Sequence, residues 1–287
     1  VQAQVLIGSP FVSGGTGSAF SDTPTQNGGI AIGGHSTASA IQTIALGGAT
    51  ASADSAIALG WSSMASGENA VVLGAYSTAA DQCVAVGANV TAAGYGAVAI
   101  GGSDVTPILG ASIGGISTVP SVYSSTRASG NASVAYGSGS FASTDGAAAI
   151  GSMATASGSM GTALGLYARA TSDYGVALGA GSVTDAPSST AAQAFVVTQF
   201  GAGVIAGEGT NQAQVSVGSS SAQRRVVNVA AGAALTDAVN VSQLKAVNSQ
   251  VVSLSTSTST GLSSANSAMA SLSTTVGSSI ASLSTVS

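Results

Sequence analysis

Apolar and small residues alternate in a short pattern that recurs along most of this chain. Eleven times an apolar residue, a small residue and a second apolar residue run directly into a glycine. These glycines are Gly33, Gly47, Gly60, Gly74, Gly87, Gly101, Gly114, Gly137, Gly151, Gly165 and Gly179. They are almost evenly spaced, except for one longer interval between Gly114 and Gly137. Such a short fixed period is typical of a solenoid, in which each repeat forms one coil stacked on the next.

Within each motif, the positions one and three residues before the glycine form two columns of mostly larger residues. The residue before the glycine is Ile32, Leu46, Leu59, Leu73, Val86, Ile100, Ile113, Tyr136, Ile150, Leu164 or Leu178. Three positions before the glycine the series is Ile30, Ile44, Ile57, Val71, Val84, Val98, Ala111, Val134, Ala148, Thr162 and Val176. Because residues two apart on a strand share a face, we expect these two columns to fill the interior of the coil.

A column of alanines lies between the two larger columns and therefore on the opposite face. It consists of Ala31, Ala45, Ala58, Ala85, Ala99, Ala135, Ala149, Ala163 and Ala177. A strand face exposed to water normally carries polar residues. We therefore expect this alanine column to pack against other copies of the chain, and we predict it as an interface between chains.

Each glycine begins a turn, and a second short strand follows it, as at 50–53, 90–93, 154–157 and 168–171. The predicted fold is mainly β, a parallel β-roll whose coils each occupy one period of the repeat. Ordering the backbone costs about 1 to 2 kcal/mol of conformational entropy per residue. A coil this narrow buries too little apolar area to offset that cost within one chain. Self-association is expected to supply the missing burial.

The regular pattern is interrupted in three places. The longest interval predicts an insertion near 115–130, which would project from one coil as a loop. Residues 1–29 are expected to cap the repeat domain, which spans 30–185. Residues 186–214 form a predicted connector, in which 194–200 is expected to be a strand.

After Asp237 the apolar residues recur every three or four positions, which predicts a helix. Asp237 and Thr236 are both candidate N-caps. The predicted core of a helical stalk is Val247, Val251, Leu254, Leu262, Met269, Leu272, Val276, Ile280 and Leu283. The average spacing of about 3.6 residues predicts a nearly straight to slightly right-handed supercoil. Because the remaining residues are mostly poor helix formers, we expect helix only in a bundle.

Composition excludes several function classes. The net charge is −5 with five basic residues, which does not suit a nucleic-acid surface. The one cysteine, Cys83, excludes an intrachain disulfide and is expected to be a small filler. The one histidine, His35, has no acid or nucleophile beside it and is predicted to be a solvated turn residue. We predict no enzymatic activity, no metal and no cofactor.

Residues 215–245 read VSVGSSSAQRRVVNVAAGAALTDAVNVSQLK. This segment resembles the neck of trimeric autotransporter adhesins, and the upstream repeats resemble their YadA-like head, a left-handed parallel β-roll. The NSVAIG repeat of that head is approximated by NASVAYG at 131–137 and ENAVVLG at 68–74. The resemblance implies that the neck couples three chains through Arg224, Arg225, Asn228, Val229, Gly232, Asp237, Asn240 and Leu244, with a coiled-coil stalk over 246–287.

The resemblance also implies a homotrimer on the outer surface of a Gram-negative bacterium, held by a C-terminal membrane anchor. This chain would then be an excised passenger fragment that binds host matrix proteins, cell-surface receptors or glycans. Four residues are candidate ligand contacts, with turn packing as the alternative: Trp61, Tyr76, Tyr123 and Arg127. The alternative function is an ice-binding or purely structural solenoid, although Thr37, Thr50 and Thr78 do not form paired Thr-x-Thr rows.

Overall fold

A computed structural model describes residues 29–103, 125–184 and 213–285. These residues divide into two compact units. The first unit contains 29–103, 125–184 and 213–224, and the second contains 225–285. The predicted fold class is confirmed, since the first unit is a parallel β-solenoid and the second contains one long helix.

Two parallel sheets form the solenoid, and the chain alternates between them. Sheet A has eleven strands: β1 Ile30–Ile32, β3 Ile44–Leu46, β5 Ile57–Leu59, β7 Val71–Leu73, β9 Val84–Val86, β11 Val98–Ile100, β13 Val134–Tyr136, β15 Ala148–Ile150, β17 Thr162–Leu164, β19 Val176–Leu178 and β21 Val215–Ser216. Sheet B has ten: β2 Thr37–Ala38, β4 Thr50–Ala51, β6 Met64–Ala65, β8 Thr78–Ala79, β10 Thr91–Ala92, β12 Arg127–Ala128, β14 Phe141–Ala142, β16 Thr155–Ala156, β18 Arg169–Ala170 and β20 Val183–Thr184. The period therefore predicted both strands of each coil.

The side chains of the sheet A strands point in the opposite directions to those expected from the sequence. The middle residue of each strand points into the coil, and the alanine column Ala31, Ala45, Ala58, Ala85, Ala99, Ala135, Ala149, Ala163 and Ala177 is buried within a single chain. The larger residues point outward, and Ile32 is 49% exposed. An alanine that one chain already buries has no surface to offer another chain. The alanines are therefore the core of the coil, and their prediction as an interface is wrong.

Small side chains fill the interior because the coil is too thin for large ones. Sheet B contributes a second inward column of alanine, from Ala38 to Ala170, and residues at the corners complete each layer, mostly with Ala, Ser, Thr or Cys. Cys83 is one of these corner residues, as predicted. Its thiol contacts the Gly94 carbonyl at 2.7 Å, and burial raises the pKa of the thiol.

The insertion interrupts one coil without disturbing the stacking. Strand β11 pairs directly with β13, and Ala99 stays in register with Ala135. The predicted coil that ends at Gly114 lies outside the described residues. The predicted loop includes residues 127–128, but these form strand β12, which pairs with β10. Residues 115–124 of the predicted insertion, and the predicted strand at 194–200, lie outside the described residues.

Backbone hydrogen bonds and close glycine contacts hold the coils together. Val98 donates its N–H to the Ser133 carbonyl at 2.9 Å, and Gly101 donates to Val86 at 2.9 Å. At Gly87 the backbone has φ +122°, and a Cβ there would lie 1.5 Å from the Gly101 carbonyl oxygen. Any other residue would force adjacent coils apart at this corner.

Aspartate side chains form a second link at the corners that precede sheet A. Each accepts a hydrogen bond from a backbone N–H of the preceding coil, at 2.8 to 3.2 Å. The four acceptors are Asp54, Asp81, Asp145 and Asp173. These acidic residues thus satisfy exposed donors of the roll.

The second unit is dominated by helix α1, Val241–Ser284, which is 44 residues long. Its N-cap is Asn240, so both candidates, Asp237 and Thr236, are wrong. The Asn240 and Gln243 side chains each accept the other residue's backbone N–H at 3.2 Å, a capping box. No residue of the helix is buried in the single chain.

Candidate functional site

The outward face of sheet A carries two parallel columns of apolar side chains. Each coil contributes the first and third residue of its strand, for example Val98 and Ile100 in β11. Tyr136 belongs to the same face and is 55% exposed. Contiguous apolar surface of this length on a soluble protein marks an interaction surface.

The outward face of sheet B is more polar. Its first column contains Thr37, Thr50, Met64, Thr78, Thr91, Arg127, Phe141, Thr155, Arg169 and Val183. Each threonine of this column is followed two residues later by Ser or Ala, and the column is interrupted by Met64, Arg127, Phe141 and Arg169. The pairing expected of an ice-binding face is therefore not regular along this sheet.

The predicted ligand contacts fall in different places. Arg127 lies on sheet B, where its guanidinium carbon is 5.6 Å from the centre of the Phe141 ring. Trp61 and Tyr76 lie on consecutive coils at the corner that leads into sheet B, and both are more than half exposed. Tyr123 lies outside the described residues. The structure thus brings Trp61 and Tyr76 together and places Arg127 further along the roll, on β12.

The neck segment begins as a continuation of the roll. Strand β21 pairs with β19, and Val176 donates to the Gln214 carbonyl at 2.7 Å. Arg224 returns to this end of the roll and donates to the Val217 carbonyl at 2.6 Å, to Ser182 Oγ at 3.0 Å and to the Ala180 carbonyl. One guanidinium therefore binds the last coil to the start of the neck.

Replacing Arg224 with alanine is expected to loosen the last coil. The loss of these charge-assisted hydrogen bonds should lower its local stability by about 1 to 2 kcal/mol. Hydrogen exchange should then show roughly ten-fold faster exchange at the Val176 amide. Arg225 has no hydrogen bond to another described residue, so Arg225→Ala is the matched control. Equal exchange in the two variants would show that Arg224 does not hold this coil.

The remainder of the neck is held by side chains that bind its backbone. The Gln243 amide accepts from the Gly232 N–H and donates to the Gly232 carbonyl, both at 3.0 Å. Asn240 also donates to the Val229 carbonyl at 3.1 Å. Asp237 accepts from the Ala234 and Ala233 N–H groups at 2.9 Å, and these bonds lower the pKa of its carboxyl. Asn228 adopts φ 61°, which turns the chain.

The helix presents its apolar seam to solvent. The predicted stalk-core residues Val247, Val251, Leu254, Leu262, Met269, Leu272, Val276, Ile280 and Leu283 are all exposed in the single chain, together with Leu244 of the neck. Serine and threonine hydroxyls elsewhere on the helix bond to carbonyls four residues earlier, as Ser253 does to Ser249 at 3.0 Å. Residues 246–287 contain no charged side chain. Because the seam is exposed in the single chain, its burial requires other helices.

Two family models match this chain. The YadA head domain repeat matches residues 25–50, 47–63, 51–77, 156–182 and 170–191. The coiled stalk of trimeric autotransporter adhesin matches residues 225–280. The chain belongs to the YadA-like trimeric autotransporter adhesin family. The resemblance inferred from the repeats and the neck motif is thereby confirmed.

Other comparisons add little to this assignment. The crystal structure of the collagen-binding domain of Yersinia adhesin YadA matches with 24% identity and a TM-score of 0.44, over 78% of this chain and 86% of that chain. Among curated proteins no similar sequence was found. Within the residues described for this adhesin, no helix is long and apolar enough to cross a membrane.

The geometry of the adhesin also locates residues that the sequence pattern did not single out. Gln243 makes more neck contacts than the predicted Arg225, which projects into solvent. Its position three residues after Asn240 is the spacing of a capping box, a signal that was present in the sequence. Across 29–103, 125–184 and 213–285, no cluster of His, Cys, Asp and Glu could hold a metal ion.

Proposed function

We propose that this chain is the surface-exposed part of an adhesin that attaches a Gram-negative cell to host extracellular matrix, to host cells or to other surfaces. Membership of the trimeric autotransporter adhesins supports this proposal. The observation that carries it is the stack of coils with the same outward columns, because such a stack presents one surface many times.

Three copies would pack through two surfaces described above. In the head, these are the outward apolar columns of sheet A, and in the stalk, the apolar seam of α1. Both surfaces are long, apolar and unburied in one chain, so their burial would stabilise an assembly by about 25 cal/mol per Å². The exposed neck residues Val226, Val227 and Leu235 would lie between the chains in the same way.

In such a trimer sheet B and the corner residues stay accessible on all three chains. Weak contacts repeated along a rod and around a threefold axis act together, because each contact after the first is intramolecular. Avidity of this kind can exceed the affinity of one contact by a factor of roughly 10² to 10⁴. The proposal therefore requires no deep binding pocket and assigns no catalytic role to the chain.

Binding of the whole chain to coated surfaces tests this proposal. Collagen, laminin and fibronectin layers should be compared with an albumin layer, and at least one of them should retain the trimer well above albumin. A variant that cannot trimerise should bind roughly ten-fold more weakly, or worse. Retention no greater than on albumin, on every matrix protein and on intact host cells, would contradict an adhesive function.

A further inference from the structure

The first three coils form a shallow depression around the only tryptophan of the chain. Its volume is about 500 Å³, within the range of small-ligand sites. The residues that matter for its chemistry are His35, Gly48, Thr50, Trp61, Ser62 and Met64. Three successive coils contribute them, so the depression is part of the rigid roll.

The Trp61 ring lies against the backbone of the preceding coil. A Cβ on Gly48 would lie 2.7 Å from Trp61 Cε3 and 3.1 Å from Cζ3, so only glycine leaves room for the ring. Gly48 also has φ +82°, which disfavours any other residue. One side of the indole is thus supported by the backbone, and the side chain is still 52% exposed.

One ring contact and two backbone hydrogen bonds constrain Trp61 and its turn. The His35 imidazole meets the indole edge to face, with 6.0 Å between centroids and 88° between planes. The Trp61 carbonyl accepts the Tyr76 N–H at 2.9 Å, and Ser62 donates its N–H to the Gly48 carbonyl at 3.1 Å. An exposed aromatic ring held in this way loses little entropy when a ligand stacks on it.

The rim of the depression offers polar groups that have no partner in the described chain. Thr50 Oγ1, Ser62 Oγ and the His35 ring nitrogens make no hydrogen bond to another described residue. The Ser63 hydroxyl, by contrast, donates to the Gly60 carbonyl at 2.9 Å and serves the fold. Free hydroxyl and imidazole groups around an aromatic platform suit a ligand with one apolar face and a polar edge.

We propose that this depression binds a hexopyranose of the galactose type. The axial 4-hydroxyl of a β-galactoside leaves the hydrogens on C3, C4 and C5 together on one face, which can stack on Trp61. Its hydroxyls then point to the rim formed by Thr50, Ser62 and His35. This inference rests on the proposed adhesive function and names one ligand class for it.

The lack of charged side chains around the depression favours an uncharged sugar. Among the described residues, no Lys, Arg, Asp or Glu lines the depression, so neither a sulfate nor a metal ion would find a counter-charge there. A single aromatic platform and a few hydroxyls predict weak binding, with a Kd on the order of 1 mM for one site. Repetition on three chains would raise the avidity for a surface that displays many galactosides.

Because Trp61 is the only tryptophan, its fluorescence reports this site alone. Lactose added to the intact trimer should change the emission saturably in the millimolar range. Sucrose, which presents no galactosyl face, should leave the emission unchanged at the same concentrations. The same lactose should also protect Trp61 from quenching by acrylamide.

Two threonines of the same sheet B column provide a matched pair of variants. Thr50→Val removes a rim hydroxyl with little change of shape and should weaken lactose binding roughly three- to ten-fold. Thr155→Val makes the same change on β16, far from the depression in the order of sheet B, and should leave binding unchanged. On lactose-coated beads, Trp61→Ala should abolish retention, whereas Tyr174→Ala, which removes another exposed aromatic side chain, should not.

The inference is overturned if lactose leaves the Trp61 emission unchanged, if sucrose has the same effect, or if both threonine variants bind alike. None of these results affects binding to matrix proteins, which is measured separately on coated surfaces. Trp61→Ala that keeps matrix binding but loses retention on lactose supports the galactoside site. A trimer that binds neither matrix nor cells, but does bind lactose, contradicts only the wider adhesive function.

Discussion

Replacing Ile100 with lysine is expected to convert the trimeric head into separate chains. Ile100 points outward from sheet A, in register with Val86 and Tyr136 on the adjacent coils. Packing of three chains through this face would bring three lysines into an apolar interface without partners, at a cost of several kcal/mol. Light scattering on the head with the neck should show loss of the trimer.

A lysine on the other sheet of the same coil controls for the added charge. Thr91 points outward from sheet B, so Thr91→Lys should remain trimeric and melt at the temperature of the parent protein. If Ile100→Lys stays trimeric, or if both variants dissociate equally, the outward columns of sheet A are not the interface.

Replacing Ala99 with leucine, one position earlier, should destabilise the fold of each chain. Ala99 is fully buried within its own coil, between Ala85 and Ala135. The larger side chain cannot fit there without separating the two sheets, and overpacking of this kind costs about 1 to 3 kcal/mol or more. Circular dichroism should show a lower melting temperature of the head, and hydrogen exchange should locate the loss around β9 to β13.

Ala93 provides the matched substitution, since it is exposed beyond the end of β10. Ala93→Leu adds the same atoms on the surface and should change the melting temperature by no more than a few degrees. If Ala99→Leu instead dissociates the trimer while each chain keeps its stability, the alanine column faces the partner chains after all.

The sequence pattern predicted the coils but not which side of each strand faces in. A strand with alternating large and small residues has two faces, and the usual assumption places the large residues inside. The deciding quantity is the width of the coil. Two short strands and two tight turns leave little space at each inward position, so alanine fills nearly all of them, with Val72 as the largest side chain of that column.

The start of the helix also differs from the prediction. Asp237 is a reasonable N-cap by residue type, but it accepts the Ala233 and Ala234 N–H groups while Asn240 starts the helix. Local propensity could not rank these alternatives.

The candidate ligand contacts illustrate the same limit. The sequence offers Trp61 as a candidate ligand contact, with turn packing as the alternative. Its supporting partners belong to earlier coils, Gly48 to the preceding coil and His35 to the coil before that. Only stacking at a fixed period brings them to one corner.

The strand register is the same on both sides of the insertion, so the roll tolerates an insertion at this position. Strands β10 and β12 pair as neighbours, although the chain from Ala92 to Arg127 is much longer than the ordinary connection from Ala79 to Thr91. The corner after β11 therefore accepts extra sequence while the alanines on either side keep their alignment. Segments of different length can therefore be inserted at this position without a compensating change in the alanine core.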